Sequence, residues 1–208
     1  MRPDQPVVYI VDDDPSMRAS IESLLRSVGH TARSFASTQA FMQCERLDTP
    51  ACLVLDIRLP GRSGLELQRE LTKSDIRLPI IFITGHGDVP MSVSAMKAGA
   101  IEFLVKPFRD QDLLDAVHRG LEIDRDCRGE AEKLAELRQR FESLTPRERE
   151  VMTLVSAGQL NKQIAAELNL SEITIKVHRA HVMRKMEAKS LPDLVRFADR
   201  LDLDSAKV

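Results

Sequence analysis

Five polar side chains follow short apolar runs of the chain, and their types suit the chemistry of phosphate and divalent cations. They are Asp12, Asp13, Asp56, Thr84 and Lys106. Neighbouring carboxylates repel one another unless a cation joins them, and oxygen ligands suit Mg²⁺, which also shares its coordination shell with phosphate. A carboxylate beside Mg²⁺ can act as a nucleophile toward a phosphoryl group, while a lysine neutralises the transferred charge. Taken singly, each of the carboxylates is more often a turn or helix-cap residue, so the hypothesis depends on all five side chains coming together.

Alternating strand and helix patterns predict the elements that would bring these residues together. Candidate strands lie at 7–11, 30–34, 52–55, 80–84 and 101–105, with candidate helices at 16–28, 63–73 and 89–98. The alternation predicts an α/β fold with a doubly wound, five-stranded parallel sheet, whose weakest strand, 30–34, is expected at an edge. Ligand groups gather at the carboxyl ends of such strands, where all five side chains would lie. Asp14 precedes Pro15 and is expected to cap the first helix.

Beyond residue 110 the strand signal disappears and helical patterns take its place. One apolar stripe lies within 113–121 and another within 134–144, and Gly129 between them is a candidate break. We expect one long helix, or two helices in line, over 110–143. A solvated connector is favoured over a coiled-coil contact, because two short stripes fall below the three or four heptads that a coiled coil needs.

The segment 144–208 predicts an all-α domain of four helices. Thr145, Ser171 and Ser190 are expected caps, and Glu148 completes a capping box with Thr145. A short helix at 161–168, a turn and a longer basic helix ending near 186 are typical of a helix-turn-helix motif.

The basic helix has two faces on a helical wheel. Ile175, Val182 and Met186 share the core side. The opposite side is the predicted DNA-binding face and carries Ile173, Lys176, Val177, Ala180 and Arg184, flanked by Thr174 and His181. Basic and small apolar side chains together suit the major groove, although on an isolated helix they would more often form a solvated face. The preceding short helix and turn favour the DNA-binding interpretation.

Other residues near this helix are expected to contact phosphate or to pair internally. Asn161 and Lys162 open the short helix, where backbone N–H groups can meet phosphate. Arg179 falls beside the core stripe, so we predict that it pairs with an acid or a helix C-terminus instead of contacting bases. Thr145, Lys185 and Lys189 are weaker phosphate candidates.

Composition limits the classes of partner. The net charge is −2, which excludes a generic polyanion binder, but 160–189 holds six basic residues against three acidic ones and is the candidate nucleic-acid segment. Three scattered cysteines show no metal-ligand spacing and indicate a reducing compartment. There is no apolar signal core near Met1 and no run near the roughly 20 residues of a membrane span. We expect a cytoplasmic protein without a membrane partner.

Several stretches resemble a known family. "YIVDDDPSMR", "LVLDIRLPGRSGLEL", "IIFITGHGDV" and "AGAIEFLVKPF" resemble the receiver domain of two-component response regulators over roughly 6–125. "LTPREREVMTLVSAGQLNKQIAAELNLSEITIKVHRAHVMRKM" resembles the LuxR-type DNA-binding domain. In this order the pair is similar to the NarL/FixJ family, and "TGHGDVPMSVSAMKAGAIEFLVKPF" resembles its FixJ-like branch. The resemblance implies a receiver at 1–125, a helical linker at 126–143 and a DNA-binding domain at 144–208.

The resemblance also implies roles for the strand-end residues. Asp56 would accept a phosphoryl group from a cognate sensor histidine kinase, and Lys106 would pair with the phosphoryl oxygens. Thr84 would move toward the phosphate, and Phe103 would follow as an aromatic switch residue. Mg²⁺ would be held by Asp12, Asp13, Asp56 and the backbone carbonyl of Arg58. The Lys106–Pro107 peptide is expected to be cis.

The implied function is a phosphorylation-dependent transcription regulator, not an enzyme, that forms a homodimer and binds DNA, with RNA polymerase as a partner inferred from the family. One alternative is a phosphate sink or protein-interaction module, which the basic helix disfavours. Another is a DNA-binding protein whose receiver does not respond to phosphate, which the complete acidic cluster disfavours. A dehalogenase-type phosphatase would need a second aspartate two residues after Asp56, where Arg58 stands. Arg58 and His86 would flank the site.

Overall fold

The computed structural model describes residues 5–74, 76–85 and 89–203. The chain divides into two compact units, Met1–Arg128 and Gly129–Val208. His86, which sequence analysis placed beside the acidic site, lies outside the described residues. None of the described helices combines the length and the apolar character that a bilayer span requires.

A parallel sheet forms the centre of the first unit, as predicted. Its strands are β1 (Val7–Val11), β2 (Thr31–Phe35), β3 (Ala51–Asp56), β4 (Ile80–Thr84) and β5 (Glu102–Val105), in the order β2-β1-β3-β4-β5. The strand bounds differ from the predicted ones by at most one residue at either end. β2 lies at an edge and is only partly buried, in agreement with its weak apolar pattern. The chain crosses from one side of β1 to the other between β2 and β3, which creates a crevice at the carboxyl ends of β1 and β3.

The sheet is covered on both faces. Alternate residues of β1 enter two different apolar clusters, with Tyr9 in one and Ile10 in the other, and both side chains are almost fully buried. The helices of this unit are α1 (Pro15–Ser27), α2 (Thr38–Met42), α3 (Gly64–Lys73), α4 (Val89–Lys97) and the first part of α5 (Asp110–Glu142). The short helix α2 was not predicted, because five residues are too few to show a helical period. The Asp14 side chain accepts a hydrogen bond from Ser16 N–H at 2.8 Å and caps α1, as predicted.

A single helix, α5, spans the region where a break was considered. Gly129 lies inside it and does not interrupt it, so the candidate break was wrong. The boundary between the two compact units nevertheless falls at this glycine. Leu113, Val117 and Leu121 pack in a core of the first unit, whereas Leu137 is buried in the core of the second. The C-terminal part of α5 is therefore packed and is not a fully solvated connector.

The second unit contains the four predicted helices that follow α5. They are α6 (Pro146–Ser156), α7 (Asn161–Leu168), α8 (Glu172–Lys185) and α9 (Leu191–Arg200). Thr145, Ser171 and Ser190 cap α6, α8 and α9 as expected. Asn169 adopts a left-handed conformation with φ of 55° in the tight turn between α7 and α8, a conformation that asparagine tolerates better than most residues. The helix-turn-helix arrangement of α7 and α8 is thereby confirmed.

Candidate functional site

The carboxyl ends of the strands bring together the residues that sequence analysis selected. Asp12 and Thr84 are fully buried, and Asp56 is 6% exposed. The Lys106 ammonium donates to Asp12 Oδ2 at 2.6 Å and to Asp56 Oδ2 at 2.7 Å, so one lysine bridges two carboxylates. Asp13 is exposed at the rim. The Lys106–Pro107 peptide is cis, as predicted.

Backbone groups orient the two buried carboxylates. Asp14 N–H donates to Asp12 Oδ1 at 2.8 Å, and Arg58 N–H donates to Asp56 Oδ1 at 3.0 Å. In each carboxylate, therefore, one oxygen accepts a hydrogen bond from a backbone N–H and the other accepts one from Lys106. The Arg18 guanidinium, which sequence analysis missed, donates to the Asp12 carbonyl at 2.7 Å and holds the loop that follows β1.

Gly64, at the start of α3, is a second residue that sequence analysis missed. A Cβ added there would lie 2.4 Å from the backbone oxygen of Asp56, which no real side chain tolerates. The first turn of α3 therefore packs directly against the end of β3 only because this residue has no side chain. A glycine at the second position of the helix predicted over 63–73 was the available signal, since glycine is a poor helix former.

The pocket carries unbalanced negative charge. Burial raises the pKa of Asp12, although its hydrogen bonds with Lys106 and Asp14 N–H oppose that shift. Burial alone would lower the pKa of Lys106, but the hydrogen bonds to Asp12 and Asp56 outweigh it, and the net shift is upward. The lysine therefore stays charged, whereas ionisation of the buried Asp12 carboxylate costs free energy.

The same carboxylates can hold a divalent cation. One oxygen from each of Asp12, Asp13 and Asp56 can be chosen so that all three lie within 4.8 Å of one another. An all-oxygen set with one exposed member fits Mg²⁺, which keeps several waters and accepts phosphate oxygens. The raised pKa of Asp12 fits a site whose carboxylates need another cation.

Thr84 and Phe103 lie on adjacent strands beside this pocket. Thr84 ends β4, and its carbonyl accepts a hydrogen bond from Lys106 N–H at 2.8 Å. Phe103 is half-buried on β5 and pairs in register with Phe82. Thr84 thus lies beside Lys106 in the sheet, whereas Phe103 lies three residues before the lysine on β5 and packs against the apolar cluster that contains Phe82.

The predicted DNA-binding face of α8 is presented to solvent. Lys176, Ala180 and Arg184 are exposed, and Ile173 and Val177 are 75% and 49% exposed although they are apolar. Thr174 is half-buried at the flank. On the opposite side Ile175, Val182 and Met186 are buried, as predicted.

The internal partners of α8 differ in part from the prediction. Arg179 does pair internally, but its guanidinium donates to Asn161 Oδ1 at 2.6 Å, so the expected acid or helix C-terminus was wrong. Asn161 therefore anchors α7 to α8, while Lys162 beside it is exposed. His181 is half-buried, with Nδ1 3.5 Å from Glu148 Oε1. Lys185, a weaker phosphate candidate, donates to Glu148 Oε2 at 2.6 Å.

Comparison with known proteins agrees with both halves of this geometry. The family described as "Response regulator receiver domain" matches residues 8–118, and "Bacterial regulatory proteins, luxR family" matches 142–198. Nodulation protein W of Bradyrhizobium diazoefficiens is 53% identical over 96% of this chain and 88% of its own length. Transcriptional regulatory protein FixJ of Rhizobium meliloti is 44% identical over 92% of this chain and 94% of its own.

The solved structure of the response regulator StyR is also similar. It superposes with a TM-score of 0.83 and is 48% identical, covering 94% of this chain and 99% of StyR. The parallel-sheet unit and the helical C-terminal unit agree with the two matched families. The chain belongs to the FixJ-like response regulators, which join a receiver domain to a LuxR-type DNA-binding domain.

Proposed function

We propose that this chain is a transcription regulator that a sensor histidine kinase switches by phosphorylating Asp56. The observation that carries the proposal is the bridge from Lys106 to Asp12 and Asp56 at the carboxyl edge of the sheet. Two carboxylates and an ammonium lie around one point, a set suited to supply a nucleophile, a metal ligand and a neutralising charge. Phosphoryl transfer to Asp56 would use all three groups.

In the proposed reaction a carboxylate oxygen of Asp56 attacks the phosphorus of a phosphohistidine. The new P–O bond forms as the P–N bond breaks, and the electron pair of that bond stays on the imidazole. Lys106 moves from the Asp56 carboxylate to a phosphoryl oxygen, which keeps its charge paired. Mg²⁺, held by Asp12, Asp13, Asp56 and the Arg58 carbonyl, would neutralise the remaining phosphoryl oxygens.

The proposed response is a change of the face formed by α4, β5 and α5. Thr84 moves toward the phosphoryl oxygens, and Phe103 turns into the space beside it. Val93, Met96 and Val105 are 45%, 44% and 47% exposed on α4 and β5, an apolar surface suited to a second copy of the chain. A homodimer formed there would carry two DNA-binding domains and read paired half-sites.

The proposed DNA contacts use α8 and the start of α7. Major-groove contacts come from Thr174, Lys176, Val177, Ala180, His181 and Arg184, and phosphate contacts from Asn161 and Lys162. The proposed domains are the receiver at 1–125, the linker at 126–143 and the DNA-binding domain at 144–208. RNA polymerase is the partner through which binding would alter transcription.

The decisive experiment compares the wild type with Asp56→Asn and Asp14→Asn after incubation with acetyl phosphate and Mg²⁺. Asp14 is the matched control, because it is a neighbouring carboxylate that caps α1 and asparagine can replace it there. The wild type and Asp14→Asn should gain one phosphoryl group by mass, dimerise and bind operator DNA more tightly. Asp56→Asn should do none of these.

Each alternative function has its own outcome. Phosphorylation without any DNA binding would support a phosphate sink, and DNA binding that is equal with and without phosphoryl would support an unresponsive receiver. An Asp56→Asn protein that still gains mass and dimerises would overturn the proposal.

A further inference from the structure

A buried carboxylate, Glu148, lies at the start of α6 and reaches across to α8. It is 3% exposed and completes the capping box of α6, where Thr145 N–H donates to Oε2 at 2.9 Å. The capping box alone would be satisfied at the surface. The burial of Glu148 therefore needs a second explanation.

Two residues of α8 approach this carboxylate. Lys185 Nζ donates to Oε2 at 2.6 Å, and His181 Nδ1 lies 3.5 Å from Oε1. The same Lys185 ammonium donates to the Ser143 carbonyl at 3.3 Å, directly after α5 ends. One lysine on α8 thus holds both the start of α6 and the end of α5.

Further contacts connect the end of α5 to α6 and α8. The Arg149 guanidinium donates to the Glu142 carbonyl at 2.8 Å, and Arg140 pairs with Glu187 at 3.0 Å just beyond α8. The apolar core reinforces them, because Leu137 and Leu144 pack there. The C-terminal end of α8 is therefore fixed to two other elements by both ion pairs and packing.

The charge on Glu148 is well satisfied. Burial raises its pKa, but hydrogen bonds from Lys185 and Thr145 N–H outweigh it and hold the pKa at about 2. A buried ion pair adds little stability compared with well-packed apolar residues, and its best-attested use is to fix one geometry among several. Short, directional bonds between two helices restrict sliding and rotation in a way that apolar packing does not.

We infer that Glu148 and Lys185 are positioning residues that set the pose of α8 on α6 and the end of α5, so that operator discrimination depends on them. The inference rests on the proposed DNA binding of α8. Neither residue is among the DNA contacts proposed above: Glu148 is buried on α6, and Lys185 lies at the C-terminal end of α8, opposite Lys176 around the helix. Their loss should change how the DNA-binding face is aimed while leaving that face chemically intact.

The test uses full-length phosphorylated protein with Glu148→Gln, Lys185→Met and the control Lys189→Met. Lys189 is exposed just after α8 and, like Lys185, is a weaker phosphate candidate, so its replacement removes the same charge without touching Glu148. A lost phosphate contact would lower both affinities alike and leave their ratio unchanged. Affinity is measured for an operator selected from random DNA and for random DNA itself, across a range of salt. Glu148→Gln and Lys185→Met should each reduce the ratio of the two affinities by about tenfold. Lys189→Met should leave the ratio unchanged.

The salt dependence separates positioning from phosphate contact. A lysine that contacts phosphate would lower the slope of log affinity against log salt by about one when removed. Lys185→Met should keep the wild-type slope while its affinity ratio falls. A reduced slope with an unchanged ratio would overturn the inference.

Hydrogen exchange without DNA tests the same pair independently of the proposed function. In Glu148→Gln and Lys185→Met, amides at the C-terminal end of α8 should exchange faster than in the wild type, and the double variant should add little to either change. Failure of the wild type to select any operator would refute DNA binding, whereas unchanged exchange in α8 would refute the positioning role.

Discussion

Each of the two compact units contains a buried carboxylate that pairs with a lysine, and the two pairs differ in how completely the charge is met. In the receiver, Asp12 and Asp56 share Lys106, and burial raises the pKa of Asp12. In the helical unit, Glu148 accepts hydrogen bonds from Lys185 and from a backbone N–H, no second carboxylate among the described residues pairs with this lysine, and the pKa of Glu148 falls to about 2. A pocket with unmet negative charge can accept a cation. A carboxylate whose charge is already neutralised, such as Glu148, can instead fix the relative position of the helices that it joins.

The sharpest test of this comparison replaces each lysine with methionine. Lys106→Met leaves two buried carboxylates facing each other, so without Mg²⁺ the receiver should lose about 3–5 kcal/mol of unfolding free energy. Lys185→Met leaves one carboxylate that still has Thr145 N–H, and the helical unit should lose about 1.5–3 kcal/mol. Urea unfolding, followed by hydrogen exchange in peptides from each unit, measures both losses.

Magnesium provides the control for this pair of variants. Added Mg²⁺ should restore part of the stability of Lys106→Met, because the ion replaces the missing positive charge, and should not affect Lys185→Met. An equal response of both variants to Mg²⁺ would show that the two pairs do not differ in the way described.

A smaller effect concerns pH and the two carboxylates themselves. The pKa of Asp12 is raised above its ordinary value of 3.8, so its ionisation opposes folding, and this cost grows as the pH rises above 3.8. The pKa of Glu148 is lowered from 4.5 to about 2, so its stabilisation is complete above pH 4.5 and is lost as the pH falls toward 2. Acidification should therefore remove the destabilisation that Asp12 causes in the receiver, and it should lower the stability of the helical unit.

Asp12→Asn tests the receiver half of that statement. Without Mg²⁺ at pH 7 the variant should be more stable than the wild type, and the gain should shrink as the pH is lowered toward 4. It should also lose most of the stabilisation that Mg²⁺ gives the wild type. The readout is the urea midpoint of the receiver at each pH, and a variant less stable than the wild type at pH 7 would contradict the unmet-charge interpretation.

The sequence predicted the receiver pocket well because strand ends in a parallel sheet fall at one edge. Asp12, Asp56 and Lys106 could be placed together from their positions after apolar runs alone. Gly64 could not be placed, since its importance comes from a backbone oxygen eight residues earlier that packs against α3. Short elements such as α2 were also not predicted.

In the helical unit the caps were predictable but the contacts between helices were not. Thr145 and Glu148 are three residues apart, so their capping box is visible in the sequence. The bond from Lys185 to Glu148 joins residues 37 positions apart, and it depends on the packing of α6 against α8. The partner of Arg179 was missed for the same reason, because Asn161 becomes its neighbour only after the turn at Asn169 folds back.

The smallest expected effect lies at the boundary between the two units. Gly129 is inside α5, and a Cβ added there would meet nothing within 4 Å. Gly129→Ala should stabilise the helix by about 0.5–1 kcal/mol, because glycine costs conformational entropy in a helix interior. Slower amide exchange on both sides of residue 129 would measure this gain. The Asp12 and Glu148 sites should keep their separate pH responses in the variant, since neither contacts this position. A change in either pH response would show that the linker helix couples the two carboxylate sites.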